Sequence, residues 1–120
     1  MCKNILIITD YAAPYEGNFI MSLKSLQREV EKSKGKIFYL FTKKAMKIEW
    51  LKNLNNVYYL DDSFKSNIEI IKKIINTENI NVMYTHFCLP KTQLAAKIVR
   101  KFNKKVKLVS HFHNHYVDHF

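Results

Sequence analysis

The sequence predicts an α/β fold in which about five parallel strands form a single, doubly wound sheet. Short apolar runs rich in β-branched residues alternate with longer segments whose apolar residues recur at helical spacing. Of the 120 residues, 48% are hydrophobic and 25% are charged, a balance that is typical of globular chains and sufficient for one domain. Strands that alternate with helices are expected to pair in parallel through right-handed crossovers.

The first strand is predicted at Asn4–Thr9, because a nearly continuous β-branched run is typical of a parallel strand buried on both faces. Pro14 and Gly17 interrupt the apolar pattern and predict a loop. Asn18 is the predicted N-cap of the first helix, and Gly35 is predicted to end that helix.

The middle of the chain contains two further predicted strands and two helical segments. The second strand is predicted at Lys36–Phe41 and the third at residues 56–60. Apolar residues between positions 48 and 54 predict a short helix. A long helix is predicted to follow residues 61–63, because Asp and Ser are favourable N-caps.

The last third of the chain predicts a strand, a helix and a strand. Val82–His86 is the fourth predicted strand, and Pro90 is placed where a helix can begin. Residues 106–111 form the fifth predicted strand, which we expect at a sheet edge that could pair with a second copy in a dimer. The predicted apolar face of the helix contains Leu94, Ala95, Ile98, Val99 and Phe102.

A Rossmann-like strand order of 3-2-1-4-5 is expected for this pattern, and it would place strands one and four side by side. Ligands of open α/β sheets bind outside the carboxyl ends of the strands, at the point where the strand order reverses. This order predicts that Asp10 and Tyr11 lie close to His86 and Phe87, with His111 one strand further out.

The net charge of +10 is almost entirely due to lysine and predicts an affinity for anionic surfaces. The lysines are spread over every predicted helix and no nucleic-acid motif is present, so no nucleic-acid partner is predicted. Neither a G-x-G-x-x-G loop nor a P-loop occurs, which disfavours dinucleotide and nucleoside triphosphate sites. Cys2 and Cys88 lack metal-ligand spacing and indicate a reducing compartment.

Histidines are concentrated at the end of the chain. His111, His113 and His115 alternate and would share one face if the strand continued through them. Imidazole suits zinc, iron and copper, but no acidic ligand accompanies these residues, and solvent-exposed histidines explain them better. No metal is therefore predicted.

Acidic residues support an alternative, a non-catalytic receiver-type signalling or ligand-binding module. Such modules place acids after strands one and three and a Thr or Ser after strand four, as Asp10, Asp61, Asp62 and Thr85 are placed here. Here, however, the fifth predicted strand ends in Ser-His, whereas a receiver has a lysine there and a helix after it.

Several segments, in order along the whole chain, resemble the N-terminal half of a GT-B-fold glycosyltransferase of the retaining family-four type. Residues 3–9 and 14–20 resemble the opening strand and acceptor loop, with Gly17 where the family often has two glycines. Residues 84–87 and 94–97 resemble the end of the fourth strand and the next helix. Residues 107–114 closely resemble the His-Ser-His-Asn signature of capsule and exopolysaccharide glycosyltransferases.

The resemblance implies transfer of a sugar from a nucleotide-sugar to a polysaccharide or lipid-linked acceptor, with no cofactor. It implies that residues 1–120 form a shortened acceptor-side domain, inactive alone because the donor-binding C-terminal domain is absent. The expected location is cytoplasmic, at the inner face of the plasma membrane, where lysines would contact anionic lipids.

The resemblance also assigns roles to single residues. His111 and His113 are the candidate catalytic residues, since a histidine at the end of strand five would stabilise charge on the leaving group. His86 is expected to contribute to binding of the acceptor and the diphosphate. The remaining candidates for that binding lie in the acceptor loop and are Tyr15, Glu16, Gly17 and Asn18.

Overall fold

A computed structural model describes residues 3–111 of the chain, and for His111 it describes the main chain alone. It contains five parallel strands, three α-helices and two 3-10 helices. The strands are β1 (Asn4–Thr9), β2 (Lys36–Phe41), β3 (Val57–Tyr59), β4 (Val82–His86) and β5 (Lys107–His111). The α-helices are α1 (Gly17–Lys32), α2 (Phe64–Glu78) and α3 (Pro90–Phe102), and the 3-10 helices are Lys43–Lys47 and Glu49–Asn53.

The sheet has the order β3-β2-β1-β4-β5, which confirms the predicted fold class and strand order. In the central register, Thr9 lies between Phe41 of β2 and His86 of β4. His86 in turn is the main-chain partner of His111 on β5. Within the described residues β5 is an edge strand, as predicted.

Two apolar layers cover the sheet, because successive residues of a strand point to opposite faces. On one face α1 and the 3-10 helices pack around Ile7, which is fully buried. On the other face α2 and α3 pack around Leu6 and Ile8, which are also fully buried. Since β1 contributes to both layers, its four central residues, Ile5 to Ile8, are all apolar. No helix within residues 3–111 has the length and apolar character needed to cross a membrane.

The start of α1 differs from the prediction that Asn18 caps it. The helix begins at Gly17, the preceding residue is Glu16, and no side chain caps the first turn. Gly17 has a φ of +64°, a conformation that disfavours any side chain, so the chain enters α1 through this glycine. Asn18 therefore lies inside the first turn and is exposed.

The predicted short helix at residues 48–54 is replaced by the two 3-10 helices, and β3 is shorter than predicted. The cap of α2 was predicted correctly, because the Ser63 hydroxyl accepts a hydrogen bond from the Ser66 N–H at 3.3 Å. Asn79 ends α2 in the left-handed conformation, with a φ of 52°.

The buried face of α3 differs from the predicted one. Ala95 and Val99 are buried as predicted, but Leu94 and Phe102 are exposed. The residues that α3 buries are Thr92, Gln93, Ala95, Ala96 and Val99. Small side chains allow this helix to lie close to β4 and β5, which rotates the larger apolar residues outward.

Gly35 has a different role from the predicted helix stop. Helix α1 ends at Lys32, and the left-handed residue is Lys34, with a φ of 64°. A Cβ atom at Gly35 would lie 2.2 Å from the main-chain oxygen of Lys3. Glycine is therefore required here by the close approach of β1, since no Cβ tolerates that distance.

We expect Gly35→Ala to lower the free energy of unfolding by about 1–3 kcal/mol, because β1 must move away from the added methyl group. Urea denaturation followed by circular dichroism measures this. Lys34→Gly is the matched control, and its effect should stay below about 1 kcal/mol, since relief of strain offsets the added chain entropy. Equal destabilisation by both variants would contradict the proposed role of Gly35.

Candidate functional site

The carboxyl ends of β1 and β4 are joined by three hydrogen bonds. The Asp10 N–H donates to the Phe87 carbonyl at 3.3 Å, and the Leu89 N–H donates to Asp10 Oδ2 at 2.7 Å. The Cys88 thiol donates to the Ile8 carbonyl at 3.2 Å. These contacts confirm the prediction that the segment after β1 meets the segment after β4 at the switch point.

Five rings gather beside this junction, and we call them the aromatic wall: Tyr11, Phe19, Trp50, His86 and Phe87. The Tyr11 ring lies 5.0 Å from Phe19, 5.6 Å from Phe87 and 5.9 Å from Trp50 between centroids. The His86 ring lies 5.2 Å from Phe19. The sequence pattern places Phe19 and Trp50 in predicted helical segments, but helical periodicity does not show that their rings pack beside the switch point.

The loop between β1 and α1, residues 10–16, is closed by the Tyr11 hydroxyl. Its oxygen lies 3.1 Å from the Glu16 carbonyl and 3.3 Å from the Tyr15 carbonyl, and it donates its proton to either. Burial, followed by the proximity of Tyr15, raises the pKa of Tyr11, so the hydroxyl remains a donor at neutral pH. A Cβ at Gly17 would lie 3.1 Å from the same hydroxyl oxygen.

Trp50 holds the loop from the other side. Its indole Nε1–H donates to the Ala13 carbonyl at 3.0 Å. The 3-10 helix that carries Trp50 thus positions the loop between β1 and α1, although it lies between β2 and β3 in the chain. The loop therefore has a defined shape before any ligand binds.

The predicted binding residues differ in their exposure and in their contacts. Tyr15 is 68% exposed, and Asn18 is also exposed. His86 is half-buried within the aromatic wall. The Glu16 carboxylate instead forms an ion pair with Lys24 at 2.9 Å, with both side chains about one third exposed, and is thereby turned toward α1.

One of the two candidate catalytic histidines, His111, lies on β5 at the edge of the sheet. The main chain of His111 lies beside that of His86 at the carboxyl edge of the sheet, in the position predicted for it. His113 lies outside the described residues.

The first turn of α1 can bind an anion. Its N–H groups receive no side-chain cap, and the turn contains no acidic residue. Uncapped N–H groups at a helix N-terminus attract negative charge, and phosphate groups are common ligands there. The turn lies near Tyr15 and His86, because α1 directly follows residues 10–16 and Phe19 contacts the His86 ring.

Phe87 adopts a left-handed backbone conformation, with a φ of 49°. A bulky residue in this region is strained by about 1–3 kcal/mol, and such residues cluster at functional sites. The strain turns the chain sharply after β4, so that Phe87 joins the aromatic wall and Leu89 reaches Asp10. The residues next to Phe87 in the sequence do not predict this conformation, because it depends on the contacts of Phe87 with the aromatic wall and of Leu89 with Asp10.

A second cleft of about 170 Å³ opens on the α2 and α3 side of the sheet and contains Asp10, Asp61, Asp62 and Lys91. The pKa of Asp61 is lowered, first by the Asp62 N–H and then by the Ser66 hydroxyl. Asp62 also forms an ion pair with Lys43 at 3.3 Å.

The geometry argues against the receiver-type alternative. Receiver-type sheets have the order 2-1-3-4-5, whereas here β2 separates β1 from β3. The Thr85 hydroxyl is buried without a hydrogen-bond partner and is not presented to a ligand. Among residues 3–111, no three His, Cys, Asp or Glu side chains are grouped so as to hold a metal ion.

Comparison with protein-family models finds no match, and comparison with curated proteins finds no significant one.

Removing the Asp10 carboxylate should loosen the junction between β1 and β4. We expect Asp10→Ala to lower the free energy of unfolding by about 1–2 kcal/mol, because the Leu89 N–H loses a charged acceptor. Exchange of the Leu89 amide hydrogen, measured by NMR, should accelerate. Asp62→Ala is the control, and its exposed ion pair should contribute less than about 0.5 kcal/mol. Unchanged exchange at Leu89 would contradict the assigned hydrogen bond.

Burial raises the pKa of the Cys88 thiol to about 12, with the Asp10 carboxylate as the second cause. In a Cys2→Ser background, alkylation by iodoacetamide near neutral pH should be about 1000-fold slower in the folded chain than in urea, because the thiolate is the reactive form. Because folding raises this pKa, the contribution of the Cys88 thiol to the free energy of unfolding is fully present below the pKa that the thiol has in the unfolded chain. That contribution is lost as the pH rises toward 12. Equal rates in both states would refute the shift.

Proposed function

We propose that this chain forms the acceptor-binding side of a glycosyltransferase that moves a sugar from a nucleotide-sugar to a polysaccharide or lipid-linked acceptor. The observation that carries the proposal is that the aromatic wall and the uncapped N-terminus of α1 lie side by side at the switch point, since Phe19 of α1 packs against the His86 ring. Sugars stack on aromatic rings through their apolar faces, and diphosphates bind at helix N-termini. The crevice therefore combines the two binding elements that such a reaction requires.

The acceptor would lie along the exposed rim formed by Tyr15 and Asn18. Tyr15 offers a ring that is 68% exposed, held in place because the Tyr11 hydroxyl contacts the Tyr15 carbonyl. The Asn18 side chain is exposed and able to donate and accept hydrogen bonds with sugar hydroxyls. A rigid loop lowers the entropy that binding must overcome.

The diphosphate of the donor would approach the first turn of α1 and the carboxyl edge of β4 and β5. His86 lies at this edge, and the main chain of His111 is beside it. A protonated or hydrogen-bonding imidazole there would stabilise the charge that develops on the leaving phosphate. We propose this role for His111 and His113, with His86 and Gly17 contacting the diphosphate. In the enzymes that the sequence resembles, a second domain holds most of the donor.

The proposal predicts where ligands perturb the NMR spectrum of the ¹⁵N-labelled chain. Uridine diphosphate sugars should shift the amide signals of Gly17, Asn18 and His86, and short oligosaccharides should shift those of Tyr15 and Asn18. Tyr15→Ala should weaken oligosaccharide binding by about threefold to tenfold, since one aromatic stacking partner is lost. Met46→Ala is the matched control, because Met46 is also exposed and belongs neither to the aromatic wall nor to the loop between β1 and α1.

The same titration distinguishes the proposed function from the receiver-type alternative. Shifts centred on Asp61 and Asp62, produced by a phosphate mimic with magnesium, would overturn the glycosyltransferase proposal. An absence of shifts at Gly17, Asn18 and His86 with every nucleotide sugar and oligosaccharide would also overturn it.

A further inference from the structure

Positive charge is concentrated in one part of the chain. From Asn79 to His111 there are seven basic residues and no acidic residue, so this stretch accounts for +7 of the net charge of +10. The rest of the chain mixes both signs. The charge of this protein is therefore a property of one region, which comprises β4, α3 and β5.

The basic side chains of this region border two grooves along α3. A groove of about 810 Å³ between the carboxyl ends of α2 and α3 is bordered by Lys101, Lys104 and Lys105. A groove of about 520 Å³ between α3 and β5 is bordered by Lys97, Arg100, Lys101 and Lys107. None of the ion pairs formed within residues 3–111 involves any of these cations. Their charge is thus available to a partner.

Exposed apolar side chains lie among these cations. Leu89, Leu94 and Phe102 are 63%, 49% and 76% exposed. Leu94, Ile98 and Phe102 are four residues apart, so they form one stripe on the helix. Because α3 buries small residues against the sheet, this stripe faces outward.

We propose that the outer surface of α3 docks on an anionic lipid bilayer. We call this surface the basic face: the stripe Leu94, Ile98 and Phe102 together with Lys97, Lys101, Lys104 and Lys105. A helix with an apolar stripe flanked by lysines lies in the interfacial plane of a membrane, with its apolar side chains below the headgroups. Each lysine near an anionic surface adds to the attraction.

A bilayer fits the basic face better than a nucleic acid or a second copy does. Leucine and phenylalanine side chains that project from a basic helix are stabilised when they enter the acyl layer of a bilayer. The phosphate backbone of a nucleic acid offers them no apolar contact. Two copies joined at this face would bring together two stretches of charge +7 without an acidic residue between them. Charge complementarity therefore favours an anionic, apolar-cored partner.

The basic face begins at the crevice. Leu89 directly precedes α3, and its N–H is bound to Asp10 at the end of β1. Helix α3 has 13 residues and is roughly 20 Å long. If α3 lies flat on the bilayer, its first turn places the mouth of the crevice next to the headgroups. Docking follows from charge and exposure alone, so it does not depend on the proposed function.

Flotation of the full 120-residue chain with lipid vesicles tests the docking. Vesicles of phosphatidylcholine with about 30% phosphatidylglycerol should bind the chain at roughly 0.05 M KCl, and vesicles of phosphatidylcholine alone should not. The triple variant Lys97→Gln, Lys101→Gln, Lys105→Gln should partition about 100-fold more weakly. The double variant Leu94→Ser, Phe102→Ser should partition about tenfold more weakly, and its residual binding should disappear at roughly 0.5 M KCl.

Two matched controls distinguish binding through the basic face from binding that depends only on the net charge or on any exposed apolar side chain. The triple variant Lys34→Gln, Lys44→Gln, Lys47→Gln removes equal charge from exposed positions outside the basic face. Met46→Ser removes an exposed apolar side chain that also lies between lysines. Both should bind within about threefold of the parent chain, because distant charges are screened. Circular dichroism of every variant establishes that it is folded.

Three outcomes would overturn the proposal. One is equal binding to neutral and anionic vesicles, and another is an equal loss of binding in the basic-face and control triples. The third is that the parent chain binds a homopolymeric RNA tightly but does not bind anionic vesicles, and that the basic-face triple variant loses the RNA binding. Selective loss in the basic-face variants on anionic vesicles supports the proposal.

Discussion

The parallel pairing of β1 with β4 is the constraint on which the rest of this structure depends. At one end Asn4 and Asn81 exchange hydrogen bonds of 2.8 Å, and the Asn4 side chain donates to the Glu78 carbonyl at 2.9 Å. At the other end Asp10 binds the segment that follows β4. The chain passes from β1 to β2 on one side of this pair and from β4 to β5 on the other side. The segments that leave the carboxyl ends of β1 and β4 therefore run in opposite directions. The crevice exists because these two strands are adjacent.

The two faces of the sheet carry different kinds of side chain, and the hydrogen-bonded junction of β1 with β4 links the regions on the two faces. The face covered by α1 contains the large rings, and several of them extend past the strands to form the aromatic wall. The face covered by α2 and α3 is mostly aliphatic, with Phe38 as its buried aromatic residue, and has small residues beneath α3. As a result, α3 lies close to the sheet and turns its larger apolar residues and lysines outward. Leu89 belongs to both regions, since it contacts Asp10 and precedes the basic face.

The sheet was predictable from sequence, whereas the crevice was predictable only in outline. Each strand contains a short run of mainly apolar residues, and alternation with helices leaves few possible orders, so β1 to β5 were located correctly apart from residues at their ends. The aromatic wall was not predictable, because a ring that packs in the core has the same periodicity as one that reaches a crevice. The left-handed Phe87 and the glycine requirement at position 35 depend on main-chain contacts between distant segments. The outward stripe of α3 reflects a rotation of the helix that small neighbours permit.

The separation of β1 from β4 along the chain has a consequence for folding. Asn4 and Asn81 are 77 residues apart, and every strand pair in the sheet is formed across an intervening connection. Non-local pairing of this kind requires that a long loop be closed before any contact energy is gained, which places such chains among the slower folders. Until β4 arrives, one edge of the apolar strand β1 has no partner. Newly synthesised chains therefore pass through a period in which aggregation competes with completion of the sheet.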